Sequence, residues 1–151
     1  MTIRPRRSVL YMPGSNARAL EKARTLPADS LILDLEDAVA PDQKAAAREQ
    51  VLEAVNAGGY GEREVVVRVN GFDTPWGRDD IVAFANAPIA ALCLPKVESA
   101  SEVNAVVQLL KQENSTLKLW LMAETPRGIL NIDEICGADK RNEVIAGTAH
   151  A

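Results

Sequence analysis

Cysteine and histidine, the side chains most often used for covalent catalysis, are scarce in this sequence. It contains two cysteines and one histidine among 151 residues. Cys93 and Cys136 lie in apolar stretches with no Cys-x-x-Cys spacing and no neighbouring histidine. We therefore expect two buried free thiols and a reducing compartment, the cytoplasm. His150 is the next-to-last residue, interpreted as an uninvolved surface side chain, and with no Gly-x-Ser-x-Gly motif nothing supports nucleophilic catalysis of the hydrolase type.

Long apolar runs and basic stretches are also missing. Near the N-terminus the longest apolar run is Val9 to Met12, four residues, whereas a secretory signal needs roughly 7–15 apolar residues and a membrane helix about 20. The net charge is −4, and no basic stretch is interleaved with aromatic residues. We therefore expect neither a membrane nor a nucleic acid as partner.

Short apolar runs alternate with longer helical stretches along the whole chain. Most of the apolar runs are nearly continuous, which is typical of parallel strands that are buried on both faces. The predicted strands are Ser8–Met12, Ser30–Leu35, Val65–Asn70, Ala91–Pro95, Lys118–Ala123 and Glu143–Ala146. The predicted helices are Asn16–Thr25, Pro41–Asn56, Pro75–Asn86, Ser99–Glu113 and Arg127–Cys136.

Strict alternation of strands and helices predicts an α/β fold with a parallel sheet, either an open doubly wound sheet or a (β/α)8 barrel. An open nucleotide-binding sheet should carry Gly-x-Gly-x-x-Gly after its first strand, but the sequence there is Met-Pro-Gly-Ser-Asn. In a barrel, functional side chains gather where the strands end. Polar residues follow that rule here: Asp34, Glu36, Asp37, Arg68, Asn70, Lys96, Glu98, Glu124 and Thr125.

Arg68 is the least expected of these residues, because valines flank it on both sides. A buried arginine should be paired, and Glu36 or Glu124 are natural partners. We favour a functional role for Arg68 over a purely structural ion pair. Carboxylates that converge with an arginine suit Mg²⁺ and an anionic oxo-acid, and together they could stabilise an enolate during C–C cleavage.

Five segments then resemble successive motifs of the HpcH/HpaI aldolase and citrate lyase β-subunit superfamily. The segments are RSVLYMPGSNARALEKA, DSLILDLEDAVAPDQKAAAR, VVVRVN, LCLPKVES and MAETPRGILN. They occur in the family's order, and the resemblance runs from Arg7 to about Thr148. It favours the branch that acts on CoA thioesters, the citryl-, malyl- and citramalyl-CoA lyases, over the pyruvate aldolases.

The resemblance implies an oligomeric TIM barrel that cleaves a 3-hydroxyacyl-CoA with Mg²⁺ by a retro-Claisen route. It matches Glu124 to a metal ligand and Arg68 to the group that binds the substrate's oxo or carboxylate oxygen, while Glu36 and Asp37 line the pocket. The residues matched to the substrate and CoA entry are Tyr11, Arg18 and Lys22, and those matched to CoA-phosphate contacts are Lys44 and Arg48. On the sequence alone, Lys44 and Arg48 are better interpreted as an exposed helix face, and Lys96 as a residue that shapes a strand end.

Two departures from the family pattern stand out. A complete barrel takes about 250 residues, so residues 1–151 are expected to form one incomplete barrel domain of six β/α units, without the last two. In addition, Gly147-Thr148-Ala149-His150 resembles a motif whose last position is a metal-binding aspartate, and His150 replaces it. Imidazole is a poor ligand for Mg²⁺.

Four functions remain open at this point. The leading one is a Mg²⁺-dependent lyase that acts on a 3-hydroxyacyl-CoA. The alternatives are a CoA-independent aldolase that makes pyruvate from a 4-hydroxy-2-oxo acid, a malyl-CoA thioesterase, and a fragment that has lost catalysis. We expect a homo-oligomer if the barrel is completed.

Overall fold

The computed structural model describes residues 4–147, and six parallel strands form its single sheet in the order β1-β2-β3-β4-β5-β6. Every strand neighbours its predecessor in the sequence, which is the order of a TIM barrel. The strands are β1 Val9–Pro13, β2 Ser30–Asp34, β3 Glu64–Arg68, β4 Ala91–Leu94, β5 Lys118–Met122 and β6 Asn142–Ala146. The predicted partial barrel of six β/α units is therefore confirmed as an open, six-stranded α/β sheet.

Helices connect the strands and cover one face of the sheet. The helices are α1 Ala17–Ala23, α2 Lys44–Ala57, α3 Gly77–Phe84, α4 Ala100–Gln112, α5 Pro126–Leu130 and α6 Ile132–Cys136, and a short 3-10 turn at Pro41–Gln43 precedes α2. The predicted helix Arg127–Cys136 is thus two short helices, which meet at Asn131. Ser99 caps α4 by accepting from the backbone N–H of Glu102, as its sequence pattern indicates.

Two apolar clusters pack against the sheet, one on each face. The larger one lies between the sheet and the helices and includes Leu33, Val67 and Phe84. The smaller one lies on the opposite face and consists of Ile32, Val66, Ala91, Cys93, Trp120 and Met122. Strands β2, β3 and β4 are buried at every position, as expected for apolar runs packed on both faces.

The edge strands are more exposed than the central ones. Val9 and Leu10 of β1 are about two-fifths exposed, and so is Ile145 of β6. An open sheet leaves each edge strand without a partner on one side, which accounts for this exposure. Within residues 4–147 no helix is long and apolar enough to cross a bilayer.

The two cysteines differ in their surroundings. Cys93 lies in the smaller apolar cluster and is fully buried, as predicted. Cys136 is exposed at the end of α6, so the prediction of a buried thiol is wrong there. Only Ile135 of this short helix faces the core, and a five-residue helix that buries one side chain leaves its neighbours in solvent.

Candidate functional site

Charged candidate side chains lie where the strands end, at the carboxyl edge of the sheet. We call this edge the mouth; it comprises Asp34, Arg68, Lys96 and Glu124, which lie at the ends of β2 to β5 or two residues beyond them, together with Tyr11, in the middle of β1, whose ring lies over Arg68. Because the strands are parallel and in register, these positions come together at one edge.

Arg68 is buried and paired at the mouth. Its Nε and Nη2 donate to the two carboxylate oxygens of Asp34, each over 2.7 Å, and its Nη1 lies 3.3 Å from Glu36 Oε2. Asp34 stands opposite Arg68 in the register of β2 and β3, so the bidentate pair joins neighbouring strands. Glu36 is thus a partner, as the sequence suggested, but the main partner is Asp34.

The charge of Arg68 is firmly held. Burial lowers the pKa of its guanidinium, but hydrogen bonds and charge from Asp34, together with Glu36, raise that pKa above its ordinary value. The guanidinium carbon also lies 5.1 Å from the ring centre of Tyr11, a favourable cation–π distance. The Tyr11 hydroxyl donates to the sulfur of Met122 on β5 over 3.8 Å, so Tyr11 spans the inner face of the sheet.

Lys96 links three loops of the mouth. Its ammonium contacts Glu36 and lies 3.1 Å from Asp37 Oδ1, while its backbone N–H donates to Glu124 Oε1 over 2.9 Å. Its φ of 48° is in the left-handed region, which is uncommon for a residue other than glycine. This backbone turns the N–H of Lys96 towards β5 and its side chain towards β2. From the sequence, Lys96 was expected only to shape a strand end, because nothing in a lysine side chain indicates a left-handed backbone.

Glu36 and Asp37 lie at the rim of the mouth, where Glu36 pairs with Arg68 and both carboxyl groups pair with Lys96. The side chain of Glu36 is 12% exposed and lies between Arg68 and Lys96. Burial raises the pKa of Asp37, but its contact with Lys96 lowers that pKa more, so the net shift is downward. Asp37 is therefore a carboxylate at neutral pH.

Glu124 is half-buried at the end of β5, where it accepts the N–H of Lys96. Between residues 4 and 147, no three histidine, cysteine or acidic side chains are gathered as a ready-made metal site. His150, the replacement for a metal-binding aspartate, lies outside the described residues.

Lys44 and Arg48 project into the protein, so their interpretation as an exposed helix face is wrong. The Lys44 ammonium donates to the backbone carbonyls of Leu35 and Glu36, over 3.0 and 2.9 Å, and lies 5.3 Å from the ring centre of Trp76. Burial lowers the pKa of Lys44, and nearby carboxylates, Glu36 first, offset part of that effect. The role of both residues in binding CoA phosphate stays a prediction.

Arg48 belongs to a network that fixes the loop after β3. Asp80 is fully buried and accepts from Arg48 Nε over 2.7 Å, from the backbone N–H of Asn70 over 2.9 Å and from its side-chain amide over 2.7 Å. Gly77 packs so closely on Gly71 that a Cβ there would lie 2.1 Å from the Gly71 carbonyl oxygen. This network was not predictable from the sequence, because Asp80 resembles any acidic residue in the first turn of a helix.

Arg18 and Lys22 lie on α1, four residues apart, and both are exposed. Residues at this spacing share one face of a helix. They therefore form an exposed cationic pair on one face of α1, and their assignment to the CoA entry stays a prediction.

A cavity of about 650 Å³ adjoins the mouth. Glu36, Asp37 and Lys96 belong to its lining, together with residues of the loops that follow β2, β3 and β4. Its size is within the range of small-molecule sites, about 300–1,000 Å³.

Comparison with known proteins agrees with these features. Over 144 residues the chain is 48% identical to a (3S)-malyl-CoA thioesterase from Cereibacter sphaeroides, covering 95% of this chain and 49% of that protein. It is 37% identical to the citrate lyase subunit beta of Leuconostoc mesenteroides subsp. cremoris, covering 97% of this chain and 51% of the relative. The chain thus spans about half the length of the curated relatives it matches.

Solved structures match as well. The protein CitE from Mycobacterium tuberculosis, in complex with magnesium, acetoacetate and coenzyme A, is 31% identical and superposes with a TM-score of 0.76. That match covers 95% of this chain and 49% of CitE. The family model of HpcH/HpaI aldolase/citrate lyase matches residues 7–149, nearly the whole chain. With its sequential parallel strands and its charged mouth, this chain belongs to the HpcH/HpaI aldolase/citrate lyase family.

Proposed function

We propose that this chain carries the substrate-binding part of a Mg²⁺-dependent enzyme that cleaves or forms a C–C bond in a 3-hydroxyacyl-CoA. The observation that carries the proposal is the mouth itself, where Asp34 and Glu36 hold Arg68. Glu36 also lines the cavity, and Lys96 connects Glu36 with Glu124. Relatives that act on citrate and malyl-CoA, and a structural neighbour that binds magnesium and coenzyme A, support it.

The donor atoms of the mouth fit Mg²⁺. Glu36, Asp37 and Glu124 offer carboxylate oxygens, and two of them already hold the ammonium of Lys96. Mg²⁺ takes one or two carboxylates and completes its shell with water and substrate oxygens, so a three-residue cluster is not required. Glu124 would hold the ion, with Glu36 and Asp37 near it. When bound, the cation supplies positive charge that stabilises an enolate.

Arg68 orients the substrate in this proposal. Nε and Nη2 are engaged by Asp34. Nη1 has the longer contacts, 3.3 Å to Glu36 Oε2 and 3.7 Å to the sulfur of Met122, so Nη1 is the nitrogen that would exchange a contact for a substrate oxygen. The raised pKa keeps the guanidinium protonated, and Arg68 therefore donates hydrogen bonds and does not accept a proton. Tyr11 packs against the guanidinium and limits its movement.

Arg18 and Lys22 bind CoA phosphates in this proposal, because they are exposed and cationic. Lys44 and Arg48 instead hold the loops around the mouth, since their polar atoms are already bound to carbonyls and to Asp80. Any contact of theirs with a phosphate requires these bonds to break.

A binding experiment tests the proposal. Acetyl-CoA and Mg²⁺ should raise the melting temperature of the chain, because a ligand at 100 times its Kd adds about 2.7 kcal/mol of stability. Replacing both Arg18 and Lys22 by alanine should weaken acetyl-CoA binding about tenfold in titration calorimetry, the loss of roughly one charge-assisted contact. Lys111→Ala, an exposed lysine in the last turn of α4, is the matched control. Equal affinity in all three proteins would contradict the proposal.

Thioester hydrolysis is the second candidate, favoured by the 48% identity to a malyl-CoA thioesterase. One substrate separates the two reactions. Malyl-CoA incubated with the chain and Mg²⁺ gives acetyl-CoA and glyoxylate if the C–C bond breaks, and free CoA and malate if the thioester is hydrolysed. The CoA-independent aldolase stays a prediction, and its sign would be cleavage of a 4-hydroxy-2-oxo acid without CoA.

A further inference from the structure

The cavity beside the mouth has apolar walls that the proposed chemistry does not use. It lies between the sheet and the helices, under the loops that follow β2, β3 and β4. The walls are formed by Val39, Phe72, Trp76, Ile81, Val97 and Val106. Ile81 and Val106 come from the buried faces of α3 and α4 and are 0% and 2% exposed, so they close the cavity at the helix layer. Phe72 and Trp76 are half-buried and present aromatic surface to it.

The charges around the cavity disfavour an anionic occupant. Asp73, Glu98 and Glu102 belong to its lining, in addition to Glu36 and Asp37. The cations of the lining are Lys44 and Lys96, and both ammonium groups are engaged, one by backbone carbonyls and the other by carboxylates. A phosphate or carboxylate placed here would face like charge without a free counter-ion.

The cavity is also well formed before any ligand arrives. The loop that carries Phe72 and Trp76 is anchored at Asn70 by buried Asp80 and closed by the contact of Gly77 with Gly71. A preformed apolar site binds without the entropy cost of ordering a loop. The cavity therefore favours an uncharged, apolar ligand, because its walls are apolar, its loop is rigid and its cations are already engaged.

We propose that this cavity binds an uncharged alkyl group of a ligand whose polar part lies at the mouth. The inference rests on the proposed function for the identity of that polar part, an acyl-CoA. It adds a preference for ligands with an alkyl substituent, and it makes Trp76 and Val106 residues that determine specificity. Each buried methylene should increase the affinity about fourfold until the cavity is full.

Straight-chain primary alcohols test the cavity without CoA. The chain has two tryptophans, Trp76 in the cavity and Trp120 in the apolar cluster on the other face of the sheet. Titration with butanol, pentanol and hexanol should change the fluorescence of Trp76, with affinity rising about fourfold per methylene. Trp76→Phe should abolish the change. A response that survives in Trp76→Phe, or an affinity independent of chain length, would overturn the inference.

Two substitutions locate the binding. Val106→Phe fills part of the cavity and should reduce hexanol affinity at least tenfold, whereas Val82→Phe, on the exposed side of α3, should leave it unchanged. If Val106→Phe does not fold, Phe72→Ala in the half-buried loop enlarges the cavity and should shift the preference towards longer alcohols. Equal hexanol affinity in Val106→Phe, or an unchanged preference in Phe72→Ala, counts against the cavity.

Acyl-CoA binding separates this inference from the proposed function. Hexanoyl-CoA should bind more tightly than acetyl-CoA, and Val106→Phe should remove the difference. If alcohols bind at Trp76 but no acyl-CoA binds, the cavity inference holds and the proposed function fails. If both acyl-CoAs bind equally and alcohols do not bind, the cavity inference fails and the proposed function stands.

Discussion

Each end of the sheet contains a bidentate arginine–carboxylate pair, and the two pairs have different neighbours. At the carboxyl end, the Nε and Nη2 atoms of Arg68 each donate to Asp34 over 2.7 Å. At the amino end, Arg6 binds Glu64 over 2.7 and 2.8 Å in the same manner. The chemistry of the two pairs is the same, so their surroundings determine what each can do.

The amino-end pair is closed by further contacts. Ser30 donates to Glu64 over 3.0 Å, Glu143 lies 3.4 Å from Arg6, and the guanidinium of Arg6 lies 5.3 Å from the ring centre of Trp120. The carboxyl-end pair instead borders Glu36, the Lys96 ammonium and the cavity. The amino-end pair therefore has the contacts of a structural ion pair, whereas the carboxyl-end pair has the surroundings that the proposed function requires.

The largest effect is expected from Arg68→Met. This change leaves Asp34, which is 2% exposed, without its counter-ion, and breaking such a buried pair costs about 3 kcal/mol. Urea denaturation measures the loss in the free energy of unfolding. Arg68→Met with Asp34→Asn should recover part of it, because the buried charge is then removed. A loss below about 1 kcal/mol for Arg68→Met would show that the pair contributes little.

Arg6→Met should cost less, about 2 kcal/mol, because Arg6 is one-quarter exposed and water replaces part of its contact with Glu64. The same substitution should leave acetyl-CoA affinity unchanged, since Arg6 lies at the opposite end of the sheet from the mouth. Calorimetric titration of Arg6→Met beside the unmodified chain checks this. Weaker acetyl-CoA binding in Arg6→Met would show that the amino-end pair also contributes to ligand binding.

Lys96→Met should change stability by less than about 1 kcal/mol, because its side chain is 49% exposed and such ion pairs are screened. Its removal leaves Glu36 and Asp37 without the ammonium, so a divalent cation should bind several-fold more tightly. Titration with Mn²⁺, followed by electron paramagnetic resonance, measures that affinity, and Lys111→Met is the control. Weaker Mn²⁺ binding would show that Lys96 organises the carboxylates and does not compete for them.

The smallest effect is expected from acidic pH, which should weaken the contribution of Asp29, at the amino end of the sheet, to the free energy of unfolding. Hydrogen bonds from the Arg7 side chain, then from the backbone N–H groups of Arg7 and Ser8, lower the pKa of Asp29 from 3.8 to about 2. A carboxylate with a lowered pKa stabilises the folded state above the unfolded pKa, and this contribution is lost as the pH falls from about 4 to 2. The difference in unfolding free energy between the chain and Asp29→Asn should therefore shrink over that interval. A constant difference would contradict the shift.

The strands were predictable from the sequence because most of them are nearly continuous apolar runs, and β2, β3 and β4 are buried at every position. All six lie within two residues of their predicted bounds, since continuous apolar runs mark such strands clearly. The short helices were less predictable, because packing and not periodicity determines where α5 ends and α6 begins.

The site was predictable in its position but not in its pairing. The polar residues after the strands do meet at the mouth, yet the partner of Arg68 follows from the register of β2 and β3, which the sequence did not specify. Lys44 and Arg48 were interpreted as surface residues because a lone charge on a helix is usually solvated. Their partners are backbone carbonyls and Asp80 in distant parts of the chain.

The contacts of Arg6 also bear on the kinetics of folding. Each strand pairs only with its sequence neighbours, so the sheet can grow one β/α unit at a time with modest loop-closure entropy. The contact between Arg6 and Glu143 joins β6 to the segment before β1, and it can form only after the units between them are in place. The contact of Arg6 with Glu143 should therefore form late in folding, after the transition state. Its loss should speed unfolding and leave the folding rate nearly unchanged.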